Sequence, residues 1–86
     1  MPDDATYFAI IDRSATRQNP AGLARRLRPE TGGFRDEALD RTMTWQFTPL
    51  IVEWERAESS DDLEEVTEDE AERIIERLRE RWAGLG

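Results

Sequence analysis

Residues 66–83 read VTEDEAERIIERLRERWA, and this stretch decides the fold of the chain. Thr67 is a favourable helix N-cap, and Glu70 follows three residues later, which is the spacing of a capping box. The apolar residues after it recur at helical spacing along one face. They are Ala71, Ile74, Ile75, Leu78 and Trp82. With Gly84 as a C-terminal stop, the pattern predicts an amphipathic helix over residues 68–83.

A second, shorter helix is predicted from Pro49 to about Ala57. Threonine is a good N-cap and proline is favoured in the first turn, so Thr48 and Pro49 together mark a helix start. The predicted apolar face holds Phe47, Leu50, Ile51 and Trp54. The polar residues 58–62 that follow have the composition of a linker.

The first 47 residues predict a largely antiparallel sheet. Four stretches have the alternating or β-branched and aromatic character of strands. They are residues 6–11, residues 23–28, the stretch that starts near Phe34, and the alternating trio Met43, Trp45 and Phe47. Two glycines within residues 30–33 predict the turn between the second and third strands.

Two segments leave alternatives open. Asn19 and Pro20 could instead cap a helix through Leu23 and Leu27, so residues 20–28 are predicted as a strand with a helix as the competing interpretation. Between the two predicted helices, residues 63–66 could supply a short extended segment beside the sheet.

Together these patterns predict an α+β fold in a single domain of residues 1–86. The expected architecture is a three- or four-stranded, mainly antiparallel sheet. The C-terminal amphipathic helix packs on one face of that sheet, and the short helix closes an end.

The composition disfavours catalysis. The chain has no histidine and no cysteine, which removes the commonest general base, thiolate nucleophiles and thiolate metal ligands. Phosphate-binding glycine spacings are also missing. We therefore expect a protein that is not an enzyme, with no catalytic, cofactor-binding or metal-binding residues.

Charge is segregated along the chain, and every basic residue is arginine. Residues 1–41 hold seven acids and seven arginines, so the whole net charge of −8 lies in residues 42–86. Segment 53–72 is the acidic pole and segment 13–28 is the basic one. This polarity favours docking on a charged partner.

The predicted function is that of a small acidic interaction or accessory protein that binds a protein partner, a second copy across a sheet edge included. The candidate partner-binding residues are Arg25, Arg26, Arg28 and Trp54. The arginines have a structural alternative, which is pairing with the chain's own acids. Trp54 has one as well, which is core packing.

Two other functions stay open. The arginine-rich segment 13–28 could contact nucleic acid, although a net charge of −8 disfavours that partner. The acidic segment 53–72 could instead mimic nucleic acid and occupy the basic groove of another protein.

The expected setting is cytoplasmic, with no membrane partner. The longest unbroken apolar run, Tyr7 to Ile11, is far shorter than a membrane span, and the chain has no signal-peptide pattern.

Several short motifs are spread over most of the chain. They are Tyr7-Phe8-Ala9-Ile10, Gly22-Leu23-Ala24-Arg25-Arg26, Asp36-Glu37-Ala38-Leu39, Trp45 with Thr48 and Leu50, and Glu65-Val66-Thr67-Glu68-Asp69-Glu70-Ala71. Together they resemble small uncharacterised α+β proteins of high-GC, actinobacterial-type bacteria and their phages. The resemblance implies an α+β layout and a cytoplasmic setting. It transfers no catalytic residue.

Overall fold

A computed structural model of the chain describes residues 4–13 and 15–84, so residues 1–3, 14, 85 and 86 of the predicted domain lie outside the described residues. Over the described residues the fold is α+β, with five strands and two helices. In chain order these are β1 (Asp4–Ile11), β2 (Gly22–Arg28), β3 (Arg35–Leu39), β4 (Trp45–Phe47), α1 (Leu50–Glu55), β5 (Asp62–Val66) and α2 (Glu68–Ala83). The strands form one antiparallel sheet in the order β4-β3-β2-β1-β5.

The predicted count of three or four strands is wrong, because the sheet has five. The additional strand is β5, which contains the possible extended segment of residues 63–66 and pairs with β1 on the side opposite β2. Three of its five residues are acidic, and acids are poor strand formers. Leu63 and Val66 nevertheless anchor it, because Leu63 packs on one face of the sheet and Val66 on the other.

Residues 20–28 form a strand rather than the alternative helix. The neighbours Leu23 and Ala24 are both fully buried, and they belong to apolar clusters on opposite faces of the sheet. Successive side chains of a strand point to opposite faces, which is how both become buried. The glycine turn before β3 is also present, and Gly32 and Gly33 have φ of 99° and 73°, conformations that suit glycine.

Each face of the sheet has its own apolar cluster. On one face, α2 packs against the sheet. Its residues Ala71, Ile74 and Leu78 contact the strand residues Ala9, Leu23, Leu39 and Val66 in one cluster. On the other, Ile51 of α1 packs with Phe8, Ala24 and Leu63. The prediction that the short helix closes an end of the sheet is therefore wrong, because α1 lies against the face opposite α2.

Helix α1 is shorter than predicted. It begins at Leu50, whose N–H donates to Thr48 Oγ1 at 3.2 Å, and it ends at Glu55. Ala57 follows with φ of 60°, a left-handed conformation that stops the helix. Phe47 was predicted on the apolar face of this helix, and that prediction is wrong, because the Phe47 side chain is 77% exposed.

The predicted bounds and cap of α2 are confirmed. The Glu70 N–H donates to Thr67 Oγ1 at 3.1 Å, and the Thr67 N–H donates to Glu70 Oε1 at 3.2 Å. Arg17, in the loop between β1 and β2, donates to both oxygens of the same carboxylate at 3.0 and 3.1 Å. Arg81 donates to the Pro20 carbonyl oxygen, so the loop is tied to both ends of α2.

Leu78→Ala is expected to lower the free energy of unfolding by about 2–5 kcal/mol, because Leu78 is fully buried between α2 and the sheet and its truncation leaves a cavity. Glu80→Ala, an exposed substitution in the same helix, is the control. Urea denaturation followed by circular dichroism measures both. Equal midpoints for the two variants would contradict this account of the core.

Stability should also depend on the charge of Glu70. Hydrogen bonds from Arg17, and next from the Thr67 backbone, lower the pKa of Glu70 from 4.5 to about 2. The unfolded chain therefore binds the proton more readily, and the contribution of Glu70 is complete above pH 4.5 and is lost as the pH falls toward 2. Glu70→Gln should flatten this part of the stability profile relative to wild type.

The control is Glu68→Gln, which removes an exposed acid from the same helical turn. It should keep the wild-type slope between pH 4.5 and 2 in urea denaturations. If both variants flatten the dependence of the free energy of unfolding on pH to the same extent, the net charge of the chain controls that dependence. The contact between Glu70 and Arg17 would then not be its cause.

Candidate protein-docking surface

The sequence-predicted residues Arg25 and Arg26 lie on opposite faces of β2. Arg25 faces α2, where its Nη2 lies 2.7 Å from Glu37 Oε1 and its guanidinium carbon lies 3.9 Å from the centre of the Trp45 ring. Glu37 is directly opposite Arg25 in the pairing of β2 with β3. Arg25 is therefore already engaged by a carboxylate and an aromatic ring of its own chain.

Arg26 is the centre of an ion-pair network on the α1 face. Its Nε and Nη2 donate to the two oxygens of Asp36 at 2.7 and 2.9 Å, and Nη1 and Nη2 donate to Glu55 at 3.1 Å each. Arg26 is 7% exposed and Asp36 3%. The hydrogen bond to Asp36 is the main cause of an Arg26 pKa far above its ordinary value. Arg26 thus links β2, β3 and α1.

The other two predicted residues are spread along the α1 face. Arg28 lies exposed at the end of β2 and donates to Thr6 Oγ1 at 3.1 Å. Trp54 is partly buried, with its ring centre 6.0 Å from that of Phe8, and its Nε1 donates to Asp62 Oδ1 at 2.8 Å. The four candidates do not form one surface, because Arg25 lies on the opposite face from the rest. Their role in partner binding stays a prediction.

The exposed apolar surface lies elsewhere, at the β4 side of the sheet. Phe34 is 56% exposed and Phe47 77%. Together with Pro49 and Val52, and with the polar residues Arg35, Asp36 and Thr48, they line a cavity of about 360 Å³. We call the four apolar residues, Phe34, Phe47, Pro49 and Val52, the aromatic patch. The Phe34 ring lies 4.1 Å from the Arg26 guanidinium, so the buried ion pair also holds one ring of this patch. Exposed aromatic groups of this kind mark interaction surfaces.

Sequence reasoning did not single out Phe34 or Phe47 as binding residues. For Phe47, however, the sequence does carry a signal of an interaction surface. Residues 42–52 read TMTWQFTPLIV, eleven residues without a charge, in a chain of which 37% is charged. The other uncharged runs are shorter. This run contains β4 and the first part of α1.

Strand β4 presents an open sheet edge. The Asp40 N–H donates to the Thr44 carbonyl at 2.9 Å, and the Thr48 N–H donates to the Asp36 carbonyl at 3.1 Å. Backbone groups of an antiparallel strand alternate in direction, so Gln46 between these two also faces β3. The N–H and C=O groups of Trp45 and Phe47 consequently point away from the sheet, toward an incoming strand.

The turn before β4 is fixed by Asp40. Its Oδ1 accepts hydrogen bonds from the Thr42 hydroxyl at 2.6 Å and from the N–H groups of Thr42 and Thr44 at 2.9 and 3.0 Å. These bonds, with that from the Thr42 hydroxyl first, lower the pKa of Asp40. A carboxylate that holds three donors makes the turn rigid, so the β4 edge is presented in a defined position.

The opposite edge, β5, is protected. The Leu63 N–H donates to Asp62 Oδ1 at 2.9 Å, so a donor that a new strand would need is already bonded. Glu64 and Glu65 lie exposed on the same strand. Charged side chains on an edge strand discourage pairing with another strand. Of the two edges, β4 is therefore the one open to pairing.

A groove of about 450 Å³ lies on the surface of α2 and is lined by Asp69, Glu72, Arg73, Ile75 and Glu76. Within residues 4–13 and 15–84, the acids form no group of three or more arranged to hold a metal ion. Over the same residues, neither helix has the length and apolar character to span a membrane.

Comparisons with protein-family models, with curated proteins and with solved structures give no match. The resemblance to small proteins of high-GC bacteria therefore stays a prediction. Function has to be inferred from the geometry of the chain itself.

Arg26 pairs with two carboxylates that differ in burial, those of Asp36 and Glu55. Neutralising each of them should therefore lower the free energy of unfolding by a different amount. Asp36→Asn should lower the free energy of unfolding by about 3–5 kcal/mol, because it leaves the Arg26 guanidinium buried with its main partner neutralised. Glu55→Gln should cost less than about 1 kcal/mol, because the Glu55 side chain is 49% exposed. Urea denaturation compares them, and equal losses would show that burial does not control the network.

Proposed function

We propose that this protein is a cytoplasmic, non-enzymatic interaction protein that binds a protein partner through the open β4 edge and the aromatic patch. One observation carries the proposal: the longest uncharged run of a highly charged chain lies at this edge, with Phe47 77% exposed. A chain of this composition has many charged residues with which to cover an edge, and this edge has none between residues 42 and 52.

The physical basis is strand addition reinforced by aromatic contacts. The outward backbone groups of Trp45 and Phe47 supply hydrogen bonds to an extended segment of the partner. Phe34 and Phe47 supply apolar area of the type enriched at interface hot spots, and the core of an interface is depleted of charge, as this run is.

Nucleic acid is a weaker candidate partner. Three arginines of the basic segment 13–28, Arg17, Arg25 and Arg26, are paired with Glu70, Glu37 and Asp36. Their charges are largely neutralised by the protein itself, so little of the segment is left to attract a phosphate backbone.

Acidic mimicry of nucleic acid is the second candidate function, and one observation favours it. Five acids within residues 62–69 are exposed: Asp62, Glu64, Glu65, Glu68 and Asp69. They extend along the β5 edge into the first turn of α2. A basic groove on another protein would be attracted to this edge, and the uncharged β4 edge would then stay free.

Photo-crosslinking in cells tests the proposal. A benzophenone amino acid is placed at Phe47 on the β4 edge, at Glu64 on the β5 edge, or at Glu80 on the exposed side of α2, and crosslinked proteins are identified by mass spectrometry. We expect position 47 to capture one defined protein partner, a second copy included, because its ring contacts that partner directly. Position 80 is the control and should capture none.

Capture from position 64 alone would favour acidic mimicry and overturn the β4 surface. Crosslinks from position 47 that nuclease removes would make nucleic acid the partner. A chain that gives no defined adduct from either edge is not acting as an interaction protein through its sheet.

A further inference from the structure

The β4 edge carries a pattern of side chains that is nearly symmetric about one residue. Residues 44–48 read Thr-Trp-Gln-Phe-Thr, so Gln46 is flanked on each side by an aromatic residue and then by a threonine. All five are uncharged. Thr48 is hydrogen-bonded to Asp36 of β3 and Thr44 to Asp40, the residue directly after β3, so the whole segment belongs to the edge.

We propose that the partner of this edge is the same edge of a second copy, paired antiparallel about a two-fold axis that passes beside Gln46. The inference rests on the proposed function and names its partner. The two five-stranded sheets would then continue into one another through β4. A two-fold contact uses the same surface twice, so the surface must be complementary to itself, and a symmetric side-chain pattern meets that requirement.

The backbone selects this register. With Gln46 opposite the partner's Gln46, Trp45 lies opposite the partner's Phe47, and Phe47 opposite the partner's Trp45. Trp45 and Phe47 are the residues whose N–H and C=O groups point outward, so each pairing can form two hydrogen bonds.

The neighbouring symmetric registers are less favourable. Placing Trp45 opposite itself would set Phe47 against Met43, whose φ of 64° takes it out of the strand conformation. Placing Phe47 opposite itself would set Trp45 against Pro49, which has no N–H to donate. Only the register centred on Gln46 uses both outward residues of both copies.

Side chains agree with the same register. Trp45 and Phe47 lie on one face of β4 by strand alternation, and the two-fold axis runs perpendicular to the sheet, so this face continues across the junction. Each Trp45 then stands beside the partner's Phe47, an aromatic cross-strand pair, and each Thr44 beside the partner's Thr48. Gln46 meets the partner's Gln46 on the other face, where each Gln46 side chain is also hydrogen-bonded to Asp40 of its own copy.

Electrostatics favours a closed dimer over longer assembly. Each copy carries a net charge of −8, and the uncharged run 42–52 is where two copies can meet with the fewest charges between them. The acids of β5 and the bonded Leu63 N–H oppose pairing at the other edge, so growth stops at two copies. Because the copies repel one another overall, added salt should tighten the dimer.

Sedimentation equilibrium on the purified full chain tests the inference. The paired segment is short, so we expect a weak, concentration-dependent dimer with a Kd in the micromolar range or above. The measurement extends to millimolar protein, at low and high salt. A tighter dimer at high salt agrees with the proposal.

Charge variants on the axis test the register. Gln46→Glu and Gln46→Lys each place like charges face to face and should weaken self-association, Gln46→Glu at least about tenfold and Gln46→Lys less, because the Asp40 carboxylate beside position 46 partly neutralises the lysine. An equimolar mixture of the two should dimerise again, because the charges then attract. The control is Gln18→Glu, the same change at the other glutamine of the chain, which lies exposed in the loop between β1 and β2. It should leave the dimer unchanged.

A second variant is needed because a charge at position 46 could also disturb the turn that Asp40 holds. Phe47→Asp changes a residue that is 77% exposed, and it should also weaken the dimer at least about tenfold. Circular dichroism melts confirm the fold of every variant. A dimer that survives Phe47→Asp and both Gln46 variants would show that the copies meet elsewhere, and it would overturn the inference.

A wild-type chain that stays monomeric at millimolar concentration also overturns it. If crosslinking from position 47 then identifies a different protein, the proposed function stands and only the second copy is wrong. If position 47 captures nothing, both proposals fail.

Discussion

The structure depends on covering both faces of a sheet with very little chain. Strand β2 buries Leu23 toward α2 and Ala24 toward α1, so neither face can be left to water. Helix α2 has sixteen residues and covers its face alone, whereas α1 has six and buries only Ile51. The α1 face needs a second cover, and the network of Arg26, Asp36 and Glu55 supplies it.

This division explains where the exposed aromatic residues lie. Arg26 takes the position on β2 that an apolar side chain would otherwise fill, and Asp36 stands directly opposite it on β3. Phe34 then packs its ring over the guanidinium and keeps its outer surface in water. Strand β4 lies at the edge of the sheet, where Trp45 packs against the α2 cluster and Phe47 stays 77% exposed. The exposure of Phe34 follows from the short length of α1, and that of Phe47 from the position of β4 at the edge.

Sequence reasoning succeeded where the signal is local. The cap of α2 depends on Thr67 and Glu70, three residues apart, and the sequence predicted both the cap and the helix it starts. It was less accurate where the signal is tertiary. The acids of β5 look like a linker until β1 is known to lie beside them, and whether Leu23 and Ala24 belong to a strand depends on covers contributed by two distant helices. The α+β class was predictable, and a short extended segment at residues 63–66 was left open, but its pairing with β1 as a fifth strand and the position of α1 were not predicted.

At the candidate site, too, the sequence alone does not show which charged residues are paired in the fold. Counting arginines along segment 13–28 suggests a free basic surface, yet cross-strand pairing sets Arg25 against Glu37 and Arg26 against Asp36. Residues ten and twelve positions apart in sequence cancel one another in space. A run of like charges is therefore a poor guide to a binding surface when opposite charges follow on the next strand. The uncharged run 42–52 is the better guide, because its own side chains carry no charge that a neighbouring strand has to pair.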